Sequence, residues 1–558
     1  SPRPNRREKK TGRSSWGMLP RLTLPPSPAT LALIALAFAL PGLGGHDLWK
    51  THDAIGLGIV HDMATSGAPL VPRIAGTPWL FDPPLYHWLA LAFGSVFQFV
   101  LEFHAAARLA SGVLVLAAFW LIYIAARDWA RTDEDRRLHG AAAMLLLLGS
   151  IGLTVHAHEA LPELAALTAL CGALATLPHA VRRPLPAGAL FGAALGFGAL
   201  SAVWITPASL LAAVIAGHVL CPEWRTRSGI VFVLVSLIVS FLIAASWPLA
   251  LAWRAPEAFA LWRTAAWQPL GDPLANLRYF LVTGSWFAWP AWPLTVWAAW
   301  SLRRRWREPR LFVPAVASVL LLLLAAYWGP AQDVHLIPAL APLALLAYQG
   351  ALVLRRGAAG ALDWFGVLAF GFFGLLVWFC YFAMLTGVPP RFATNFFRTA
   401  PGFTPDFKVL SVAFALVLAA GWVYLIFFTT RSPMRSILRW AAGIVLMWGT
   451  GAMLLMPWAD YQKSYRSVAL QLRSKIPVGA GCIAQRGLGV SQAAALDYHG
   501  GIRARPYDIV RPNACPLLLV QGSPQHEFDG PGASWAKLAD VNRPGDRAER
   551  YRLYRLGK

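Results

Sequence analysis

Apolar runs about the length of a membrane span recur from Ala29 to Pro457, and they leave few folds open to this chain. In hydrocarbon every backbone N–H and C=O must find a partner within its own segment, so such runs fold as helices. They lie at about 29–45, 105–127, 138–156, 159–178, 187–201, 203–220, 228–250, 286–303, 311–329, 335–354, 361–386, 407–429 and 435–457. Only 14% of the residues are charged, where a soluble domain is nearer a quarter. The chain therefore reads as a polytopic α-helical membrane protein with about 13 transmembrane helices. Its 26 Trp suit membrane interfaces.

Charge sets the topology. The net charge of +22 is not a nucleic-acid signal, because most Lys and Arg outside the C-terminal part sit in short loops between runs. The first 28 residues carry Arg3, Arg6, Arg7, Lys9, Lys10, Arg13 and Arg21, which predicts a cytoplasmic tail ahead of an uncleaved signal anchor. Further basic loops lie at 127–137, 181–184, 221–228, 302–310, 355–356 and 430–439. All of them fall on the cytoplasmic side only if one more apolar segment, 84–102, does not cross. That segment starts at the breaker Pro83-Pro84 and reads as a juxtamembrane or re-entrant helix inside a first periplasmic loop, 46–104. Residues 29–457 then form the transmembrane domain. An odd number of crossings puts residues 458–558 outside, where the spacing of Val468, Leu470, Leu472 and Ile476 predicts a helix. The segments "GCIAQ", "GIRARPY", "CPLLLVQG" and "ERYRLYRL" predict strands of a small periplasmic α/β domain. Cys482 and Cys515 are its two cysteines, a candidate disulfide in an oxidising compartment.

The same topology gathers the polar clusters on one face. The first carries His52-Asp53 and Asp82; the second, "HAHEALPE", carries His156, His158, Glu159 and Glu163, with the two acids four residues apart on one helix face. Loop 251–285 supplies Arg254, Arg263 and Arg278 among aromatics, and "GPAQDVHLIPALAP" supplies His335. Ionisable groups beside membrane segments are costly and point to function. A carboxylate such as Asp53 suits a general base, and Arg suits phosphate by its planar fork of donors. Helix capping by the acids and headgroup anchoring by the Arg are the structural alternatives. No Cys or His cluster has metal-ligand spacing, and no Walker A or dinucleotide fingerprint occurs.

The segments "SGAPLVPRIAGTPWLFDPPLYHW", "FHAAARLASGVL", the acidic "HAHE" and "HLIPALAPLALL" together resemble the GT-C glycosyltransferases that use polyprenyl-phosphate sugars. The nearest group is the bacterial lipid A aminoarabinose transferases, related to protein O-mannosyltransferases. The resemblance covers most of the membrane part and implies a GT-C fold with a periplasmic C-terminal domain in the bacterial inner membrane. Its partners would be membrane lipids, an undecaprenyl-phosphate-linked sugar donor (4-amino-4-deoxy-L-arabinose among the candidates), and lipid A or another glycan or lipid acceptor. The sequence departs from that group at named positions. The group's first acidic pair, Asp-Glu, is His52-Asp53, with Ile55 where an Arg follows, and its Glu-Lys before proline is Asp82-Pro83.

The mechanism so implied has Asp53 as base, oriented by His52, with Asp82, His158, Glu159, Glu163, Arg254, Arg263, Arg278 and His335 binding substrate and leaving phosphate. No cofactor is required; a divalent cation held by Asp53, Asp82 or Glu159 is compatible with the residues. The alternatives are a flippase for a polyprenyl-linked sugar or other secondary transporter, and a non-catalytic lipid-linked scaffold. No internal repeat is evident and the polar residues gather at one face, which favours the enzyme.

Overall fold

A computed structural model describes residue 22 and residues 24–557, save 131, 203, 267, 268, 270, 431, 433, 508–514 and 524–533. The basic residues of the N-terminal tail lie outside the described residues. Each predicted apolar run overlaps a helix. Among the described residues six helices are long and apolar enough to cross a membrane by length and composition: Phe103–Arg127, Arg227–Arg254, Pro309–Trp328, Arg356–Thr386, Val409–Phe428 and Met434–Leu454. Shorter apolar helices include Pro28–Ala39, Pro184–Ala199, Ile205–Leu220 and Leu340–Leu352.

Their ends follow ordinary capping chemistry. Thr132 accepts from Asp135 N at the start of Asp133–Leu148, and Asp133, Glu134 and Asp135 place negative charge at the helix's positive end. Asp272 accepts from Leu274 N and Ala275 N to start Pro273–Phe287. Small residues let the helices approach: at Gly192 a Cβ would stand 2.6 Å from Ser236 O of the neighbouring helix. The main apolar core, with Phe119, Leu147, Leu167, Phe191 and Leu345, fills the space between them.

Loop 251–285 is more ordered than the sequence suggests. It consists of the end of Ser246–Arg254, then Pro256–Ala266, then Pro273–Phe287. The predicted run at 286–303 in fact straddles two helices, broken at Trp289-Pro290, where proline cannot continue the hydrogen-bond ladder. Pro83 and Pro84 precede a 13-residue helix, Leu85–Phe97, which packs on Phe103–Arg127.

Among the described residues seven strands form two sheets. β1 (Arg73–Ile74) and β2 (Thr77–Pro78) make a small hairpin in the first loop. The C-terminal part holds β3 (Ile483–Arg486), β4 (Ala504–Pro506), β5 (Leu517–Gly522), β6 (Trp535–Val541) and β7 (Arg550–Leu556). Their order is β4-β3-β5-β7-β6; β3 runs parallel to β4 and β5, and β7 antiparallel to β5 and β6. Cys482 and Cys515, just before the adjacent strands β3 and β5, form a disulfide with Cα atoms 5.1 Å apart. Helices Arg466–Lys475 and Val490–Gly500 cover the sheet with Val468, Leu472 and Leu496. Leu470 is 54% exposed, so it lies on the outer face of its helix, contrary to the apolar spacing. β6 has no counterpart among the predicted strands; its alternation is weak and Lys537 and Asp540 interrupt it.

This α/β unit seats on the first loop. Arg466 forks onto Asp47 and reaches Glu102, Lys50 pairs with Glu549 at 2.7 Å, and Arg503 donates to Thr65. Helix His52–Ser66 thus lies between Val490–Gly500 and the membrane helices.

Candidate active site

The first two titratable residues of helix His52–Ser66 point to different places. Asp53 is fully buried on Arg108, itself fully buried in Phe103–Arg127. Arg108 Nε donates to Asp53 Oδ1 at 2.9 Å and Nη2 to Oδ2 at 2.6 Å. The same guanidinium donates to the carbonyls of His46 and Asp47. Asp53 also accepts from Ala160 N at 2.9 Å and Trp49 N at 3.2 Å. Burial alone would raise its carboxyl, but the Arg108 guanidinium outweighs it and holds Asp53 below the usual carboxylate value. One ion pair therefore ties together the first loop, Phe103–Arg127 and the turn after His156. The expectation that Asp53 is the base is corrected: both its oxygens are committed and neither reaches a cavity.

His52 does reach one. A cavity of about 340 Å³ is lined by His52, Asp82, His87, Glu163, Gln332 and His335, with Trp79, Trp328 and Gly56 in its largely apolar wall. Gly56 is required there, since a Cβ would stand 2.0 Å from Ala160 O. Asp82 accepts from Trp79 Nε1 at 3.1 Å; burial pushes its carboxyl up, and that hydrogen bond offsets only part of the rise. Glu163 Oε2 is buried without a partner, as are both ring nitrogens of His87. A buried carboxylate and imidazole left unsatisfied are expensive, and they mark where a ligand's polar groups would go. His335 Nδ1 donates to Pro330 O at 3.0 Å, since a carbonyl can only accept; Nε2 is then an acceptor.

Beside the cavity, His156 sits between two carboxylates. Its Nδ1 is 2.7 Å from Glu159 and its Nε2 is 3.5 Å from Asp333. The bond to His156 holds Asp333 below the usual carboxylate value.

No family model matches this chain. Its sequence is 26% identical over 340 residues to undecaprenyl phosphate-alpha-4-amino-4-deoxy-L-arabinose arabinosyl transferase 1 of Pseudomonas fluorescens, over 57% of this chain and 56% of that relative. The chain thus spans little more than half the length of the curated relative it matches. Its structure superposes on ArnT from Cupriavidus metallidurans bound to undecaprenyl phosphate with a TM-score of 0.68 and 17% identity, over 94% of this chain and 97% of the other. Apo ArnT gives 0.67 and 16% over the same shares. The chain has the ArnT fold. It is a polytopic membrane architecture of the GT-C type, as the resemblance implied.

Within that ArnT fold the expected site residues separate. His52, Asp82, Glu163 and His335 line the one cavity. Glu159 stands beside it, engaged with His156. His158 is buried elsewhere, its ring nitrogens against Phe38 O and Thr154 O and its ring stacked on Trp448. The expectation for Arg254, Arg263 and Arg278 is also corrected: all three are exposed and none lines the cavity, with Arg254 lying over Trp253 instead. Amphipathic helices at the membrane surface put such residues on their wet face. Of the carboxylates offered to a divalent cation, Asp53 is spent on Arg108 and Glu159 on His156; Asp82 remains at the cavity. Among the described residues, one three-ligand cluster brings its atoms within 4.8 Å, Asp47, Glu102 and His104, and there Arg466 and Ser464 already bind Asp47.

Sequence reasoning passed over His87 and Arg108. Both lie in segments that carry the family resemblance, "PPLYHW" and "FHAAARLASGVL". An Arg inside an apolar run is itself the signal that a buried acid waits for it.

Proposed function

We propose that this chain is an integral inner-membrane GT-C glycosyltransferase that moves a sugar from a polyprenyl phosphate to lipid A or another periplasmic glycan or lipid. The sugar named for the relative, 4-amino-4-deoxy-L-arabinose, is the first donor to try. One observation carries the reading: the cavity and a long apolar groove meet at His335. The groove, about 980 Å³, runs between Pro273–Phe287, Ala291–Ser301, Pro309–Trp328 and Leu340–Leu352. It extends from His335 to Arg303 and Trp306 at the other end of the bundle. Helix Pro309–Trp328 alone is about 30 Å long at 1.5 Å per residue, enough to lie along a membrane-deep tail. A polyprenyl chain would lie in the groove and its sugar in the cavity, with the phosphate where the two meet.

Asp82 and Glu163 then bind the sugar, and Glu163 Oε2, which has no protein partner, suits an amino group on it. In this reading about 13 helices cross, Leu85–Phe97 stays at the outer surface, the N-terminus is cytoplasmic and the α/β unit is periplasmic. That unit seats on the loop bearing His52, through Arg466 on Asp47 and Arg503 on Thr65.

The test is direct. Purified protein in lipid nanodiscs receives polyprenyl-phosphate-linked sugars and lipid A, and product is followed by mass spectrometry. Glycosylated product with release of polyprenyl phosphate is expected. No transfer, together with movement of the donor across vesicle membranes, would make the chain a flippase instead.

A further inference from the structure

We infer that His52 is the proton acceptor of the transfer and that it serves a neutral hydroxyl acceptor rather than a phosphate. This rests on the transferase reading above. The geometry comes first. His52 and Asp53 are consecutive at the start of one helix, so their side chains diverge by about 100°. Asp53 turns onto Arg108, while His52 turns into the cavity. The imidazole is therefore the group this turn presents to the cavity, and the neighbouring acid does framework work that positions it.

The charge around His52 fits the role. Glu159 and Asp333, from two separate segments, both bind His156, and their charges act on His52 as well. Nearby carboxylates stabilise an imidazolium as it forms at His52. Asp82, Glu163, His87 and His335 share the same cavity. Burial holds His52 below the ordinary imidazole value, so it is neutral and able to accept a proton at pH 7.

The choice of acceptor follows from the same lining. Among the described residues no Lys or Arg lines the cavity, while Asp82 and Glu163 do. The donor already brings one phosphate. A phosphate acceptor would set a second anion in a cavity whose described lining holds no Lys or Arg to compensate it. A phosphate oxygen is also a nucleophile with no proton to lose, so it gives a base nothing to do. A hydroxyl adds no charge and needs the base. In the step, His52 takes the hydroxyl proton, the acceptor oxygen bonds to the anomeric carbon, and the bond from that carbon to the phosphate oxygen breaks. Its electron pair leaves with polyprenyl phosphate, and the proton on His52 passes to water.

The experiment uses the full chain in nanodiscs, a polyprenyl-phosphate sugar that wild type accepts, and two acceptors: lipid A and its dephosphorylated, hydroxyl-terminated form. His52→Gln should lower kcat by about 10² to 10⁴-fold with the donor KM within a few-fold. Wild-type activity should show an acid limb below the ordinary imidazole value, because burial lowers His52. His52→Asp should restore part of kcat and change the position of that limb, because a carboxylate replaces the imidazole as the titrating base. The dephosphorylated acceptor should be used at least as well as lipid A. Wild-type kcat in His52→Gln, an unmoved acid limb in His52→Asp, or dependence on the acceptor phosphates would each overturn the inference. Should His52→Gln fail to fold, the His52→Asp profile decides alone. Absence of transfer by wild type with every donor would instead remove the transferase reading on which this one stands.

Discussion

The two ends of the helical bundle each hold a cavity, and they differ in how their carboxylates are satisfied. The cavity at the Arg-rich end, about 880 Å³, is lined by Asp128, Asp135, Arg136, Arg182, Glu308 and Arg310 among others. Asp128 is bound by Arg127 and His179, Glu308 by Arg305 and Arg310, and Asp135 by Thr132. At the other end Glu163 is more deeply buried yet has an oxygen without a partner. Each cavity also holds an imidazole with an unpartnered nitrogen, His139 in one and His87 in the other, so the imidazoles do not separate them. The carboxylates do. A paired acid at the end of a span is explained by folding; an unpaired one is explained by what it awaits.

The largest effect should come from the ion pair that keeps framework and site apart. Arg108→Met strands Asp53 as a buried, uncompensated carboxylate, and removal of one partner of such a pair costs about 3–5 kcal/mol. Thermal unfolding in detergent should show a large loss. The double variant with Asp53→Asn should recover most of it, because no charge is then left unpaired. A single variant as stable as wild type would mean that Asp53 is free to act in the cavity after all. Next is Gly56→Ala. Its new Cβ would overlap Ala160 O, forcing the helix of His52 away from the turn that follows His156. Overpacking of this kind costs about 1–3 kcal/mol. The displacement should also lower kcat, because His52 and the Glu159–His156–Asp333 group would move apart.

How much of this was legible in the sequence follows from which forces act locally. Span positions depend on composition over a window of about 20 residues, so helices appear in every expected run. The clustering of His52, Asp82, Glu163 and His335 followed from topology, because alternate crossings bring distant loops to one face. The direction of each side chain did not follow. Asp53 looked like the base because a carboxylate at a membrane boundary usually stays wet; only the approach of Arg108, 55 positions away in sequence, buries it. Arg254, Arg263 and Arg278 looked like phosphate ligands by type, and the outward face of their helices decides otherwise. The disulfide was legible because Cys482 and Cys515 had no competitor in their part of the chain.

The comparison between the two ends is sharpened most by one pair of matched substitutions with small stability effects. Glu163→Gln keeps the size of a buried side chain whose Oε2 has no protein partner, so the folded state should be about as stable as wild type. Its transfer activity should fall by at least about 10-fold, since a charge-assisted hydrogen bond to the substrate contributes roughly 1.5–3 kcal/mol. Glu308→Gln gives up two Arg partners at a partly exposed site and should cost about 0–1 kcal/mol, with activity unchanged. Unfolding temperature and kcat measured on the same preparations separate the two. A Glu163→Gln protein that is destabilised and fully active would place Glu163 in the framework with Glu308. The unpaired oxygen would then no longer distinguish the outer cavity, and His52 alone would carry the assignment of the site.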